Sequence, residues 1–319
     1  MSFWQGKRVL ITGASGFIGQ HLTNELLSRK AIIVSVTPKR SKFSNKKSIE
    51  EIVSVEDFNK INSIIKKHKI KIIFHLAAQP IVEIGQINPI TTFEVNIRGT
   101  WNILEAAREN NIDKIIVAST AHVYGDNPKV PFREVYYPQP SRPYETSKAC
   151  ADLLAQVYAD SFNLPVEVPR FVNIYGPGDL NFNRLVPKVI KGILEGKNPK
   201  VWDIGSIRDF LYIDDAVNAY LVLAEKNLPN TKRGRIFNFG NGKPLKVLEL
   251  VQKIIDISKN AAVKIDLEKT PYDRPDEIKK QYVSISKASR ELGWKPKVSL
   301  EEGLIKTFDW YKENSNLFQ

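Results

Sequence analysis

The stretch V-L-I-T-G-A-S-G-F-I-G, residues 9–19, runs from an apolar strand into a glycine-rich turn and then into an amphipathic helix. In this context Gly13 supplies the tight turn, Gly16 lets the backbone approach a pyrophosphate, and Gly19 lets the helix pack closely against the strand. The phosphates would lie at the N-terminus of the helix, where free N–H groups and the helix dipole favour an anion. The pattern therefore predicts a dinucleotide-binding βαβ unit. The loop residues that we expect to contact the dinucleotide are Gly13, Ser15, Gly16, Phe17, Ile18 and Gly19.

A tyrosine and a lysine form a second pattern, Tyr144-x-x-x-Lys148, on a predicted helix. Residues four apart share a helix face, so both side chains can reach one site. A free tyrosine has a pKa of about 10 and is a poor acid or base at neutral pH. A nearby ammonium and a positive nicotinamide ring would stabilise its phenolate, which makes Tyr144 a predicted proton donor or acceptor for a sugar hydroxyl or ketone.

The composition indicates a soluble globular protein with one large or two modest domains. The chain has 319 residues, of which 42% are hydrophobic and 26% are charged, and such a length can bury a sizeable core. No apolar run approaches 18 residues and the first residues lack a signal-peptide core, so we expect a cytoplasmic protein without a membrane segment. The single cysteine, Cys150, excludes an internal disulfide and is interpreted as a small core residue.

The formal net charge of +12 comes largely from lysines in residues 39–47 and 66–69. These segments lack the interleaved aromatic side chains that stack on nucleic-acid bases. We interpret them as a solvated surface that attracts an anionic substrate over long range. Nucleic acid is therefore not an expected partner.

Predicted strands alternate with predicted helices, which is typical of an α/β fold with a doubly wound parallel sheet of the Rossmann type. The predicted strands are Arg8–Ile11, Ile32–Val36, Ile72–Leu76, Ile115–Ser119, Val166–Phe171, Phe210–Ile213 and Ile236–Asn238. The predicted helices include Gln20–Arg29, Phe58–Lys67, Thr92–Glu109, Tyr144–Phe162 and Phe182–Gly196.

The pattern becomes irregular beyond about residue 170, which predicts a smaller, discontinuous C-terminal substrate lobe. We assign residues 1–172 and 208–240 to the cofactor-binding Rossmann domain, and residues 173–207 and 241–319 to the second lobe. Ligand pockets commonly form between two such domains. We therefore expect the substrate to bind in the crevice between them.

Taken together, six motifs resemble those of the extended short-chain dehydrogenase/reductases, and more narrowly of the nucleotide-sugar epimerase/dehydratase family. They are T-G-A-S-G-F-I-G at 12–19, F-H-L-A-A at 74–78, N-I-R-G-T at 96–100, S-T-A-H-V-Y-G at 119–125, Tyr144 with Lys148, and R-D-F-L-Y-I-D-D at 208–215. The resemblance covers nearly the whole chain. It implies an NAD or NADP cofactor, a nucleotide diphosphate sugar as substrate, and a homodimer. It implies no metal ligand.

The resemblance assigns a catalytic role to Thr120, which would hydrogen-bond the reacting sugar oxygen beside Tyr144. Lys148 would also hold the nicotinamide ribose, so Tyr144 and Lys148 count among the cofactor contacts as well. Asn96 matches a family asparagine that is usually structural. Further expected cofactor contacts, after the fourth strand and near the adenine, are Leu76, Ala77, Ala78 and Val55.

The resemblance also implies a binding site for the nucleotide end of the sugar. Arg208 and Arg274 match positions whose guanidinium groups bind the diphosphate, a task suited to a bidentate fork. Asn173 and Arg184 are candidates for the same cluster, and Trp202 would stack on the base or pack in the lobe.

The residues after Thr120 depart from the pattern of the 4,6-dehydratases. Those enzymes carry Asp-Glu, Asp-Lys or Ser-Glu there, because removal of water needs an acid at C6 and a base at C5. This chain has Ala121-His122. Alanine cannot donate a proton, whereas His122 contacts the substrate in our interpretation and could act as a base.

The end of the second predicted strand departs from the pattern of NAD binding. An acidic residue that would grip the adenosine ribose is replaced by Thr37, and Lys39 and Arg40 follow closely. Two cations without a carboxylate favour the additional phosphate of NADP. Ser54 stands where an aspartate often contacts adenine, next to Val55.

These observations predict an enzyme that acts by redox at C4 of a nucleotide diphosphate hexose, with a 4-epimerase as the main hypothesis. A 4-keto-6-deoxyhexose reductase would use the same residues but consume NADPH. A dehydratase with His122 as the base is a third hypothesis. A fourth is a cofactor-binding protein that has lost catalysis, against which the intact Thr120, Tyr144 and Lys148 argue.

Overall fold

The computed structural model describes residues 3–40, 45–201, 205–226, 235–267 and 278–317. The strands are β1 Arg8–Thr12, β2 Ile32–Thr37, β3 Ile49–Ile52, β4 Ile72–His75, β5 Lys114–Val117, β6 Ser119–Thr120, β7 Val166–Phe171, β8 Asn173–Tyr175, β9 Lys200–Val201, β10 Ile207–Arg208, β11 Phe210–Tyr212, β12 Arg235–Phe239, β13 Leu245–Lys246, β14 Asp266–Leu267 and β15 Lys280–Gln281. The α-helices are α1 Phe17–Ser28, α2 Phe58–Lys67, α3 Val82–Ile87, α4 Pro89–Phe93, α5 Gly99–Glu109, α6 Pro143–Phe162, α7 Leu185–Leu194, α8 Ile213–Glu225, α9 Val247–Ser258 and α10 Leu300–Glu313.

A parallel sheet forms the centre of the fold. Its strand order is β12-β7-β5-β4-β1-β2-β3, and β6 pairs with β7 beyond the end of β5. The central strand β1 is buried on both faces, with Val9, Leu10 and Ile11 fully inaccessible. Burial on both faces is expected for a parallel sheet that is covered by helices on each side. The predicted doubly wound α/β sheet is confirmed.

The helices cover the sheet as two layers with separate apolar clusters. Leu10 on β1 packs in a cluster with apolar residues of α2, α5 and α6. Val9 and Ile11 point to the opposite face and pack in a cluster with α1 and α8. This alternation follows from the two-residue period of a strand. No helix in the described parts of the chain is both long and apolar enough to cross a bilayer.

The chain leaves the main sheet after β7 and returns to it at β12. The segments outside the sheet form the ladders β13-β10-β15, β11-β8 and β14-β9, together with α7, α9 and α10. Apolar residues of these helices, such as Leu250 and Tyr311, belong to the same cluster as Val9. The two predicted lobes therefore share one core on this face of the sheet.

One predicted strand has a different partner from the one expected. Residues 210–213 were predicted among the strands of the parallel sheet, but β11 pairs with β8 in a separate two-stranded ladder. An apolar run indicates only that a strand is buried, and Phe210, Leu211 and Tyr212 are indeed buried. The run does not determine which sheet provides that burial.

Several other elements differ from the prediction in their bounds or their existence. The predicted helix Thr92–Glu109 begins earlier, at Pro89, and a π-helical turn at Glu94–Arg98 separates α4 from α5. The predicted helix Phe182–Gly196 is confined to α7, because the N–H groups of Asn183 and Arg184 instead donate to the side chain and the carbonyl oxygen of Asn181 in a turn before the helix. The edge strand β3 was not predicted.

Candidate active site

The glycine loop between β1 and α1 has the geometry of a phosphate cradle. Gly13 has φ +71°, and a Cβ there would lie 2.8 Å from the backbone nitrogen of Ala77. A Cβ at Gly19 would overlap the Gly13 carbonyl oxygen and lie 2.8 Å from the Cα of Ala14. Gly16 is the N-cap of α1, and it supplies no side-chain hydrogen bond to the first turn. The N-terminal N–H groups are therefore available to an anion, and the loop fits a dinucleotide diphosphate.

The turn after β4 lies beside this loop and is held by buried hydrogen bonds. The Thr12 hydroxyl accepts the N–H of Ala77 at 3.2 Å and lies 2.8 Å from Nδ1 of His75. Burial lowers the pKa of His75 to about 3, so this imidazole is neutral. The contacts fix Leu76, Ala77 and Ala78 against the glycine loop. Leu76 and Ala78 face the neighbouring cavity.

A cavity of about 360 Å³ lies at the carboxyl ends of the sheet strands. This edge is where doubly wound sheets bind their ligands. Predicted site residues that line the cavity are Phe17, Ile18, Leu76, Ala78, Thr120, His122, Tyr144, Lys148, Asn173 and Arg184. The structure thus brings together the predicted cofactor loop, the three predicted catalytic residues and three of the predicted substrate residues, His122, Asn173 and Arg184.

Tyr144 and Lys148 project from the first turns of α6. Pro143 occupies the start of the helix, where its fixed φ is favourable, and the helix ends before Asn163 in the left-handed conformation. The Lys148 Nζ donates a hydrogen bond to the Ala118 carbonyl oxygen at 2.6 Å. Burial lowers the pKa of Lys148 to about 8, although Asp152 opposes the shift. The ammonium form therefore predominates at neutral pH.

Burial raises the pKa of the Tyr144 phenol to about 12. The positive charge of Arg184 opposes this shift by favouring the phenolate, and the negative charge of Glu145 reinforces it. Sequence reasoning attributed the stabilisation of the phenolate to Lys148. In the structure Arg184 supplies a favourable charge from the wall of the second lobe.

Thr120 lies on β6 at the same edge of the sheet. Its hydroxyl donates to the Phe171 carbonyl oxygen at 3.4 Å and accepts the N–H of His122 at 3.3 Å. Both contacts are long, which leaves the oxygen able to exchange them for a substrate hydroxyl.

His122 and Glu145 form a side-chain pair at the cavity wall. His122 Nδ1 lies 3.4 Å from Glu145 Oε1, and the imidazole and Tyr144 rings meet edge to face. Glu145 also accepts a hydrogen bond from Arg142 at 2.9 Å. Burial alone would raise the pKa of the Glu145 carboxyl, but the hydrogen bond with His122 and the charges of His122 and Arg142 lower it. Ala121, by contrast, is fully buried and does not line the cavity.

Arg184 is anchored by Asp179. Its Nη1 lies 2.9 Å from Oδ2 of the buried Asp179 carboxylate, and both residues line the cavity. Asn173 also lines the cavity, and its amide donates to the Asp209 carbonyl oxygen at 3.4 Å.

Of the remaining predicted nucleotide contacts, Arg208 is the one among the described residues. Arg208 lies outside the lining of the cavity, and its guanidinium donates to the carbonyl oxygens of Ile207 and Lys279. Trp202 and Arg274 lie outside the described residues. Their roles stay predictions.

The predicted adenosine end of the cofactor site lies at the end of β2. Thr37 is fully buried, and its hydroxyl donates to the Lys39 carbonyl oxygen at 3.0 Å. Lys39 and Arg40 are exposed, and the Arg40 guanidinium lies 3.7 Å from Glu50. Val55 is buried beside this region, and its carbonyl oxygen accepts the Asn102 amide at 3.0 Å.

Sequence reasoning missed part of the cavity wall. The start of α3 contributes Ile81, Val82 and the exposed Glu83, and the loop before α7 contributes Asp179 and Asn181. The position of α3 directly after the carboxyl end of β4 was the signal for the first group. Asn96 is structural, as expected: its amide donates to the Gln79 carbonyl oxygen and to Ser147 Oγ, which lies between Tyr144 and Lys148 on α6.

The fold and the site define an extended short-chain dehydrogenase/reductase. The family model described as GDP-mannose 4,6-dehydratase matches residues 10–307. A dTDP-D-glucose 4,6-dehydratase from Bos taurus is 31% identical over 323 residues, which cover 97% of this chain and 89% of that protein.

Two solved structures of UDP-glucose 4-epimerases are also similar. The enzyme from Thermotoga maritima with UDP-glucose has a TM-score of 0.89 and 30% identity, covering 97% of this chain and 99% of that chain. The enzyme from Thermus thermophilus with NAD has a TM-score of 0.86 and 27% identity, covering 96% and 99%. The chain belongs to the nucleotide-sugar epimerase/dehydratase family, and the resemblance noted in the sequence is confirmed.

Proposed function

We propose that this protein is an NAD(P)-dependent enzyme that epimerises a nucleotide diphosphate hexose at C4. One observation carries the proposal: Thr120, Tyr144 and Lys148 line one cavity beside the glycine loop, while Ala121 is buried away from it. The three residues supply what redox at C4 needs. Position 121 offers no acid for the loss of a hydroxyl group. The similarity to the Thermotoga maritima UDP-glucose 4-epimerase also supports epimerisation.

The residues have separate tasks in this reaction. A bound dinucleotide would supply the hydride acceptor and then the hydride donor. Thr120 orients the C4 oxygen, and Tyr144 takes the proton from the C4 hydroxyl. Lys148 holds the cofactor ribose, and its positive charge favours the phenolate of Tyr144. After the 4-keto sugar has rotated in the cavity, Tyr144 returns the proton to the C4 oxygen.

The contact between His122 and Glu145 favours a second candidate, a 4,6-dehydratase. A carboxylate beside Nδ1 orients the imidazole, so that its Nε2 could remove the proton at C5. Loss of the C6 hydroxyl would still need an acid. The similarity to the Bos taurus dehydratase supports this alternative.

Deuterated water distinguishes the two reactions. The protein would be incubated with UDP-glucose, GDP-mannose, CDP-glucose and dTDP-glucose, and the products analysed by NMR and mass spectrometry. A 4-epimer without deuterium at C5, formed without net consumption of cofactor, is expected. A 4-keto-6-deoxy sugar with deuterium at C5 would overturn the epimerase in favour of the dehydratase. Stoichiometric NADPH consumption with a 4-keto-6-deoxy sugar would instead indicate a reductase.

A substitution of His122 distinguishes the epimerase from the dehydratase independently of the deuterium experiment. In an epimerase His122→Asn should lower turnover by no more than about ten-fold, because the imidazole transfers no proton. In a dehydratase it should lower turnover by about two to four orders of magnitude, the usual contribution of a general base.

We also propose that NADP is bound in preference to NAD. The buried Thr37 places no carboxylate at the end of β2, and the exposed Lys39 and Arg40 follow it. Cations at this position suit the 2′-phosphate, which is absent from NAD.

A further inference from the structure

A buried ion pair lies beneath the active site, between α6 and the sheet. Arg170 on β7 donates to both carboxylate oxygens of Asp152, from Nε at 2.9 Å and from Nη2 at 2.8 Å. The side chains are 1% and 0% exposed. A bidentate pair of this kind fixes direction as well as distance. Asp152 lies one helical turn after Lys148, so the pair holds the catalytic helix against β7.

Ser119 connects the same carboxylate to the strand that carries the reacting groups. Its hydroxyl donates to Asp152 Oδ2 at 2.6 Å, and Ser119 pairs with Arg170 in the β6–β7 ladder. Ser119 lies between Ala118, whose carbonyl oxygen accepts the Lys148 ammonium, and Thr120. One carboxylate thus fixes the short segment 118–120 to the helix of Tyr144 and Lys148.

We propose that Asp152 is a positioning residue for catalysis: through Ser119 and Arg170 it holds Thr120 in register with Tyr144 and keeps a negative charge beside Lys148. The inference rests on the proposed function, because it assumes that these three residues react with the sugar. Positioning matters because a misplacement of about 1 Å can cost about 100-fold in rate.

The charge of Asp152 adds an electrostatic consequence. Burial favours the neutral amine of Lys148, and the nearby carboxylate opposes that effect. The other titratable or charged groups around Lys148 are Tyr144 and Glu145 on its own helix, His75 at the end of β4, Arg170 on β7, and the pair of Arg184 and Asp179 across the cavity. His75 and Tyr144 are neutral at pH 7, Glu145 is paired with Arg142, and Asp179 is paired with Arg184. Among the groups around Lys148, the Asp152 carboxylate favours the ammonium form of this lysine.

Asp152→Asn tests the charge with little change in shape. Since Lys148 would lose its proton at lower pH, the alkaline fall of kcat should move down by about one unit. The affinity for NADH, measured by fluorescence titration, should fall at the same lower pH, because Lys148 holds the ribose. Asp152→Glu keeps the charge and should restore both midpoints.

Ser119→Ala tests the positioning without disturbing the ion pair. We expect kcat to fall by about ten-fold with KM little changed, because only the register of segment 118–120 is loosened. If Asp152→Asn does not fold, this variant decides alone: wild-type kcat in Ser119→Ala would overturn the positioning role.

The matched control is a second buried carboxylate at the opposite end of the sheet. Glu167 on β7 is fully buried and contacts Lys114 at 3.2 Å and Arg235 at 3.5 Å. Glu167→Gln should lower the melting temperature as Asp152→Asn does, but leave the pH profiles of kcat and NADH affinity unchanged. A folded Asp152→Asn protein whose profiles match those of Glu167→Gln would reduce Asp152 to a structural residue and overturn the proposal.

Tyr144→Phe separates failure of this inference from failure of the proposed function. Near-normal turnover in that variant refutes the assigned active site, whereas NADH affinity still reports on Asp152 and Lys148. An inactive Tyr144→Phe protein combined with unchanged profiles in Asp152→Asn refutes the positioning role alone.

Discussion

The Arg184 guanidinium and the Asp179 carboxylate form an ion pair at 2.9 Å on the wall of the second lobe. The pair holds a positive charge over the cavity, where it favours the phenolate of Tyr144 on the opposite wall. The phenol thus lies on α6, which packs on the main sheet, whereas a charge that modifies its pKa comes from the segment before α7, outside that sheet.

Removal of the Arg184 charge should change the pH dependence of turnover. Oxidation at C4 uses the phenolate, so turnover rises with pH as Tyr144 loses its proton. Because Arg184 lowers the pKa of Tyr144, Arg184→Met should move this rise to higher pH by up to about one unit. The measurement is kcat at saturating substrate at neutral pH, below the pKa of Lys148 at about 8 and that of Tyr144 at about 12. There, a rise of about one unit in the pKa of Tyr144 lowers the phenolate fraction, and with it kcat, by about ten-fold. Lys188→Met, one turn further along α7, removes an equal charge and should leave kcat unchanged. A kcat that is the same in Arg184→Met and the parent would contradict this role.

Tyr144→Phe should lower kcat by about two to four orders of magnitude, the usual contribution of a general acid–base group. The ring keeps its packing against His122, so the affinity for nucleotide sugar should change little. Tyr158→Phe on the same helix removes a hydroxyl that donates to Glu105 at 3.0 Å and should retain turnover. Stopped-flow or coupled assays on both variants give the comparison. Similar rates in the two variants would show that Tyr144 is not the catalytic acid–base group.

Gly16→Val should weaken NADH and NADPH binding by about 100-fold or more, because a branched side chain would occupy the phosphate cradle. Gly16 has an ordinary φ of −77°, and a Cβ there would contact only the Gly13 carbonyl oxygen, at 3.2 Å. The variant should therefore fold, as circular dichroism would show. Gly192→Ala in α7 is the control, since a Cβ there has ample space. Unchanged cofactor affinity in folded Gly16→Val protein would exclude this loop as the phosphate site.

Replacement of Lys39 and Arg40 by alanine should weaken the binding of NADPH by about ten-fold to 100-fold and the binding of NADH much less. Only NADPH presents a 2′-phosphate for charge-assisted hydrogen bonds. The control is the alanine double variant of Lys46 and Lys47, which removes the same charge from the same basic region. Isothermal titration with both cofactors measures the difference. If the parent protein binds NADPH and NADH equally, the NADP proposal is refuted and the recycling NAD-dependent epimerase gains support.

The sequence predicted those parts of the site that lie within one supersecondary unit. The glycine loop follows β1 directly, and Tyr144 and Lys148 share a face because they are four residues apart on α6. Local spacing alone determines both arrangements. The strands with continuous apolar runs, such as β1 and β4, were predicted for the same reason.

Local spacing could not predict the contacts between segments that are distant in the sequence. His122 meets Glu145 only because a short 3₁₀ turn at 121–124 packs beside the start of α6. Arg184 reaches the cavity because Asp179 fixes the loop before α7. The strand β3, with the sequence I-E-E-I, lies at the sheet edge and exposes both isoleucines, so it lacks the apolar pattern of a buried strand.

We propose, finally, that the protein is a homodimer that pairs α5 and α6 with their symmetry equivalents. In the resembling family the helices predicted at Thr92–Glu109 and Tyr144–Phe162 form such a seam. Of the apolar residues on α6, Leu154 packs towards the core, whereas Leu153 and Val157 are 47% and 52% exposed. Trp101 on α5 is 41% exposed as well. A face with several large exposed apolar side chains is typical of an interface.

Leu153→Asp should convert this dimer into monomers, because a carboxylate at the seam would be buried without a partner. Size-exclusion chromatography with light scattering at micromolar concentration should give twice the chain mass for the parent and the single chain mass for the variant. Ile305→Asp on α10 alters a side chain of similar exposure, 42%, away from the seam and should remain dimeric. A parent protein with the mass of one chain would refute the dimer. Equal dissociation by both variants would indicate general destabilisation rather than an interface on α6.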